Sequence, residues 1–159
     1  MTDARFEDGD DGPLRLTAQD AEAIAVLSAL LQDAVFPITE MTFAAKRRRF
    51  AVLLNRFRWE DRDAAENAKR AYERVQSLVV FGDVLSVKTT GIDRQDADTV
   101  LSLLAVTFTP GEDGTGRIDL VLAGDGAIAL QVEALDASLR DVSRPYIAPS
   151  GHVPTHEET

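Results

Sequence analysis

Lys46-Arg47-Arg48-Arg49 and, a few positions on, Arg56-Phe57-Arg58-Trp59-Glu60 are the residues of this chain whose types and spacing could do chemistry. A guanidinium presents a planar fork of donors that matches a carboxylate or a phosphate, and an aromatic ring beside it could stack a base. The chemistry on offer is recognition of an anion. Along an extended backbone successive side chains alternate faces, so Arg56 and Arg58 share one side and Phe57 and Trp59 take the other. That division works against a combined stacking and phosphate-binding surface. It makes Arg47, Arg48, Arg56 and Arg58 the candidate binding residues and assigns Ala51, Leu53, Phe57 and Trp59 to the core. The competing reading is structural, with these arginines paired to the protein's own carboxylates.

Charge sharpens the question of partner. The 159 residues hold 17 Lys and Arg against 27 Asp and Glu, a net charge of −10. Between Lys46 and Arg74 ten basic residues meet five acidic ones, a local +5 that leaves −15 for the remainder. A chain acidic almost everywhere repels nucleic acid and anionic membrane, so neither is a favoured partner. What the basic segment could attract is an acidic protein or a phosphate-bearing ligand.

The other candidate motifs are weaker. Gly111-Glu112-Asp113-Gly114-Thr115-Gly116-Arg117 has the glycines of a phosphate loop, but such a loop must open a helix and here a strand is predicted. Gly124-Asp125-Gly126 reads as a turn in the same way. Asp93, Asp96 and Asp98 lack the glycine and distal glutamate that a calcium loop needs. His152 and His156 are the only histidines, and Pro154 between them breaks the helical spacing that would let both reach one zinc ion. With no histidine elsewhere and no cysteine, neither a serine–base pair nor a thiol nucleophile is available. We assign no catalytic residue, no metal site and no cofactor, and the reading leans away from an enzyme.

Several elements are predicted to position the arginines. Residues 1–12 form an acidic mobile tail, 13–149 one α+β domain and 150–159 a polar tail. Thr17 to Asp20 has the makings of a helix start, and Ala21, Ile24, Leu27, Leu30, Leu31 and Ala34 recur at helical spacing, giving an N-terminal amphipathic helix. Strands are expected at 36–43, 49–59, 74–81, 84–90, 100–109, 117–123 and 127–133, with Gly82-Asp83 turning the third into the fourth as a hairpin. The polar stretch 60–72 reads as a mobile connection. Leu135, Leu139 and Val142 suggest a short C-terminal helix over 134–142. The expected fold is thus α+β: about seven mainly antiparallel strands in a strongly curved sheet or barrel, pleckstrin-homology-like in its count, with a helix at each end.

Length and composition add limits. Hydrophobic residues make up 45% of the chain, enough for a core without staples. No apolar run approaches the ~18 residues of a membrane-spanning helix, and the first residues lack a signal peptide's basic and apolar regions. The absence of cysteine fits a reducing cytoplasm.

At Asn55-Arg56-Phe57-Arg58-Trp59-Glu60, with Gly124-Asp125-Gly126-Ala127-Ile128 and Ser143-Arg144-Pro145-Tyr146, the chain resembles a family of small proteobacterial proteins described as domain of unknown function 2948. The likeness runs from about Leu14 to Pro149. It implies a bacterial cytoplasmic setting and a housekeeping context, and it transfers no catalytic residue. Three functions follow for test: a non-enzymatic binding or adaptor domain that meets an acidic partner through a basic strand edge, a small-molecule binder or enzyme with a pocket lined by carboxylates and arginines, or a self-associating structural protein using an exposed strand edge or the apolar helix face.

Overall fold

The computed structural model describes residues 13–93 and 95–147, and the expected tails and both histidines lie outside them. The described chain opens on a strand, β1 (Arg15–Ala18), followed by α1 (Ala21–Leu31), β2 (Val35–Pro37), β3 (Met41–Ala44) and β4 (Arg49–Phe57). A short helix α2 (Arg62–Asn67) leads to β5 (Glu73–Phe81), β6 (Val84–Thr90), β7 (Val100–Pro110), β8 (Gly116–Leu122), β9 (Ala127–Val132), β10 (Ala137–Asp141) and β11 (Tyr146–Ile147). The strands pair antiparallel in the order β1-β10-β5-β4-β2-β7-β8-β9-β6, with β11 beside β5 and β3 beside β4. The sheet has two ends, β1 and β6, and does not close.

This corrects the expected fold class. The described residues hold eleven strands in place of about seven, and their two α-helices are short. The expected N-terminal amphipathic helix gives way to β1 followed by an eleven-residue helix whose outer positions, Ala21, Ala25, Val26 and Ala29, are mostly apolar and exposed. Its first turn is capped by Asp20, whose Oδ1 accepts from Ala23 N at 2.8 Å, and Thr17 lies in β1. The expected C-terminal helix is β10: Ala137 and Leu139 face inward in alternation, and cross-strand pairing with Phe81 and Val79 overrides the helical spacing. Gly82-Asp83 does not close a hairpin, because β5 pairs with β4 and β10 while β6 pairs with β9. Asp83 takes a left-handed φ of 56°, and the turn carries the chain from one part of the sheet to another. The stretch 60–72 is ordered by α2, which buries Ala65.

Register explains where the core stops. Phe50, Phe81 and Ala137 form one row across β4, β5 and β10, and Val52, Val79 and Leu139 form the next. All six are buried. Leu54, Ser77 and Asp141 make the third row, where the inward face turns polar, and Arg56 follows beside Val75. Helix α1 lays Ile24, Leu27, Leu30 and Leu31 on this core. Its Ser28 Oγ accepts from Val106 N at 2.9 Å, beside the bulge that shifts the β7–β8 register between Leu103 and Ala105.

A cage around Arg56 and two candidate surfaces

Strand β4 sends Phe50, Val52, Leu54 and Arg56 inward, so Ala51 and Leu53, expected in the core, lie on the outer face, while Phe57 is buried as expected. Ala51, Leu53 and Asn55 are half-buried on the outer face, while Arg56 is 0% exposed. A buried charge must be paired and fully hydrogen-bonded, and all five N–H groups of this guanidinium find acceptors. Nη1 and Nη2 grip Glu60 as a fork, at 2.9 Å and 2.7 Å. Nη2 also donates to Asp141 Oδ1 at 3.1 Å, Nε to Ser77 Oγ at 3.1 Å and Nη1 to Phe57 O at 3.2 Å. Ser77 Oγ donates in turn to Asp141 Oδ1 at 2.7 Å, and Asp141 Oδ2 accepts from Leu14 N at 3.0 Å. The cage therefore ties β4, β5, β10 and the lead into β1 together. Burial opposes the charge on Arg56, but the hydrogen bonds and charges of Glu60 and then Asp141 outweigh it and hold the pKa above its ordinary value.

Arg58 joins the same cluster. Its Nη1 pairs with Glu73, and its Nε lies 3.8 Å from Glu60 Oε2. Asp61 takes both nitrogens of Arg70, at 2.8 Å and 2.9 Å, and this hydrogen bonding lowers its carboxyl pKa against a smaller opposing effect of burial. Beside the cluster a cleft of about 720 Å³ is lined by Arg58, Glu73, Asp141, Ser143 and Arg144 among others. Asn55, on the other face, bonds Tyr146 OH. The segments 55–60 and 143–146 thus meet in space. The chain belongs to the family described as "Protein of unknown function (DUF2948)". Its family model matches residues 14–156. No curated protein and no solved structure matches the chain.

The other two candidate arginines lie at the opposite end of β4. Arg47 is the last residue of a 3₁₀ turn, Ala45–Arg47, and Arg48 follows in the left-handed region at φ 54°. Arg48 Nη1 reaches Glu133 at 2.7 Å with both side chains more than half exposed. Lys46, Arg47 and Arg49 are exposed and make no ion pair with a described residue. The structure thus splits the four sequence-predicted residues into two places, Arg56 and Arg58 inside and Arg47 and Arg48 at a corner, and brings no two of them from different places together.

Gly111 to Gly116 is the β7–β8 hairpin loop, with Gly116 required because a Cβ there would sit 2.5 Å from the Phe108 ring. Asp93 and Asp96 accept from the nearby backbone N–H groups of Gln95 and Asp98. Trp59 is half-buried, its Nε1 donating to Gln32 O at 3.0 Å and its ring 4.6 Å from that of Phe57. Asp141, Ser77 and Glu73 were missed from sequence, because their approach to Arg56 and Arg58 depends on strand register. Glu60 stood four residues from Arg56 and was the one available sign.

Among the described residues no helix is long and apolar enough to cross a membrane.

Proposed function

We propose that the protein is a cytoplasmic, non-enzymatic binding domain that docks an acidic partner at the basic corner of Lys46, Arg47 and Arg49, with Arg48 beside them. One observation carries this reading: in a chain of net charge −10, these three cations are exposed without a carboxylate partner among the described residues, while Arg56, Arg58 and Arg70 are each held by carboxylates. Unpaired surface cations speed the encounter with an opposite charge and set which partner is accepted. Arg48 can exchange Glu133 for that partner cheaply, since an exposed pair contributes about 0–1 kcal/mol. Titration of a labelled oligoglutamate peptide into the full chain tests the corner. Binding that weakens with added salt and is lost in the variant K46E/R47E/R49E is the expected result; a triple variant that binds oligoglutamate as before overturns the proposal.

A second reading is favoured by the cleft, where Arg58, Glu73, Asp141 and Arg144 converge and Arg144 makes no ion pair with a described residue. A small ligand bearing a carboxylate or phosphate would pair with Arg144 over a floor whose own charges are satisfied. Citrate or inorganic phosphate should then shift the backbone resonances of Val142 to Arg144, and an unchanged spectrum removes this reading.

A further inference from the structure

The exposed corner cations stand at one end of a gap in the sheet. Among the described residues β3 pairs only with β4 and β6 only with β9, so each presents a backbone edge with no described strand beside it. Between them lies a window of about 310 Å³, lined by Met41 and Phe43 of β3, Val87 and Thr89 of β6, and Ile38 and Phe50. Backbone hydrogen bonds pin it at both ends, from Val84 N to Arg48 O at 2.8 Å and from Ile38 N to Thr99 O at 2.9 Å. Met41, Phe43 and Val87 pack against the core yet stay half-buried, whereas their inward-facing equivalents in β4 and β5 are fully covered.

We propose that this window receives an extended segment of a partner protein, which adds a strand between β3 and β6. The segment turns alternate apolar side chains toward Phe43 and Val87 and carries acidic residues at its end near Lys46 and Arg47. The acidic end rests on the function proposed above; the strand addition rests on the two edges alone. An apolar small molecule would cover Met41 and Phe43 but leave both rows of backbone groups without partners, whereas a strand satisfies them. The four residues of β3 set the length of the pairing. Orientation follows from charge: Glu40 precedes β3 at the far end, and Asp96 and Asp98 flank Ala97, which also lines the window. Acidic residues are repelled from that end and drawn to the corner.

Panning a library of random short peptides against the full chain, then measuring backbone amide exchange with the strongest binder, tests the proposal. The expected binder alternates apolar and polar residues, ends in Asp or Glu, and slows exchange across Thr42–Ala44 and Ser86–Thr90. Protection that maps elsewhere, or a binder that leaves both edges exchanging as in the free chain, overturns the strand addition without need of any variant. The surface variant K46E/R47E should weaken the same peptide about tenfold. If its affinity is unchanged while protection at β3 and β6 persists, the acidic-partner reading fails and the added strand stands. If the free chain self-associates in sedimentation and those edges are already protected, the occupant is a second copy and the partner proposal falls.

Discussion

Arg56 is wholly enclosed, its donors shared among Glu60, Asp141, Ser77 and a carbonyl, whereas Arg47, in the turn that leads into the same strand, is exposed and pairs with no carboxylate among the described residues. The two ends of β4 use one residue type for opposite purposes. At the inner end the strand enters rows that are covered on both sides, so an arginine there must be matched by carboxylates from other strands. Glu60, Asp61, Glu73 and Asp141 supply four negative charges against the three of Arg56, Arg58 and Arg70. At the outer end water solvates the charge and no match is needed. Density of basic residues along a sequence therefore says where charge is, and burial decides which of it is available to a partner.

Removing the inner arginine should break the contrast most severely. Arg56→Ala leaves Glu60 and Asp141 without their cation in a covered site, which costs about 3–5 kcal/mol of folding stability. Urea unfolding of the purified chain should show a midpoint lowered accordingly; a loss below about 1 kcal/mol would mean that water already compensates the carboxylates. Arg58→Ala should follow with a smaller loss, roughly 1.5–3 kcal/mol, because Glu73 and Asp61 keep partial access to solvent and Arg70 remains beside them.

How much of this was legible beforehand can be read from particular residues. The alternation of Phe50 to Phe57 located β4, and the runs ending at Phe81, Thr90 and Leu122 located β5, β6 and β8 to within a residue or two. Which face was inner could not be read from β4 alone, since both faces begin apolar and the deciding term is the carboxylate set that register brings from β5 and β10. Leu135, Leu139 and Val142 looked helical because their spacing fits a helix, yet β10 is fixed by pairing to residues more than fifty positions away. The pairing of β6 with β9 rather than with β5 is long-range in the same sense, and it is what opens the window beside β3. Lys46 and Arg47 fall between the strands expected at 36–43 and 49–59, and there the local signal sufficed because both side chains stay exposed in the turn that joins β3 to β4.

Acid should sharpen the comparison through Asp61. Its pKa is lowered in the folded chain, first by the hydrogen bonds from Arg70. A lowered folded pKa gives stability that is present above the unfolded carboxyl value of about 3.9 and is lost as pH falls through the folded value. Asp61→Asn should therefore destabilise the chain near neutrality and flatten the fall in stability below about pH 4. The quantity to follow is the urea midpoint against pH for both chains; parallel curves for the wild type and the variant would deny the ion pair its role.

The smallest effect belongs to the corner, and its smallness is the point. Replacing Lys46, Arg47 and Arg49 together by alanine removes three exposed side chains with no ion-pair partner among the described residues, so each change should move stability by no more than about 0.5 kcal/mol. A slight gain is consistent, because three neighbouring positive charges repel one another and that repulsion would be relieved. Low salt should enlarge the gain and high salt should erase it, since exposed charges are screened over about 10 Å at 0.1 M. A loss well beyond this range would show that the corner cations already have partners within the fold. They would then resemble Arg56 in kind, differing only in how deeply they are covered, and the charge held in reserve for an acidic partner would not exist.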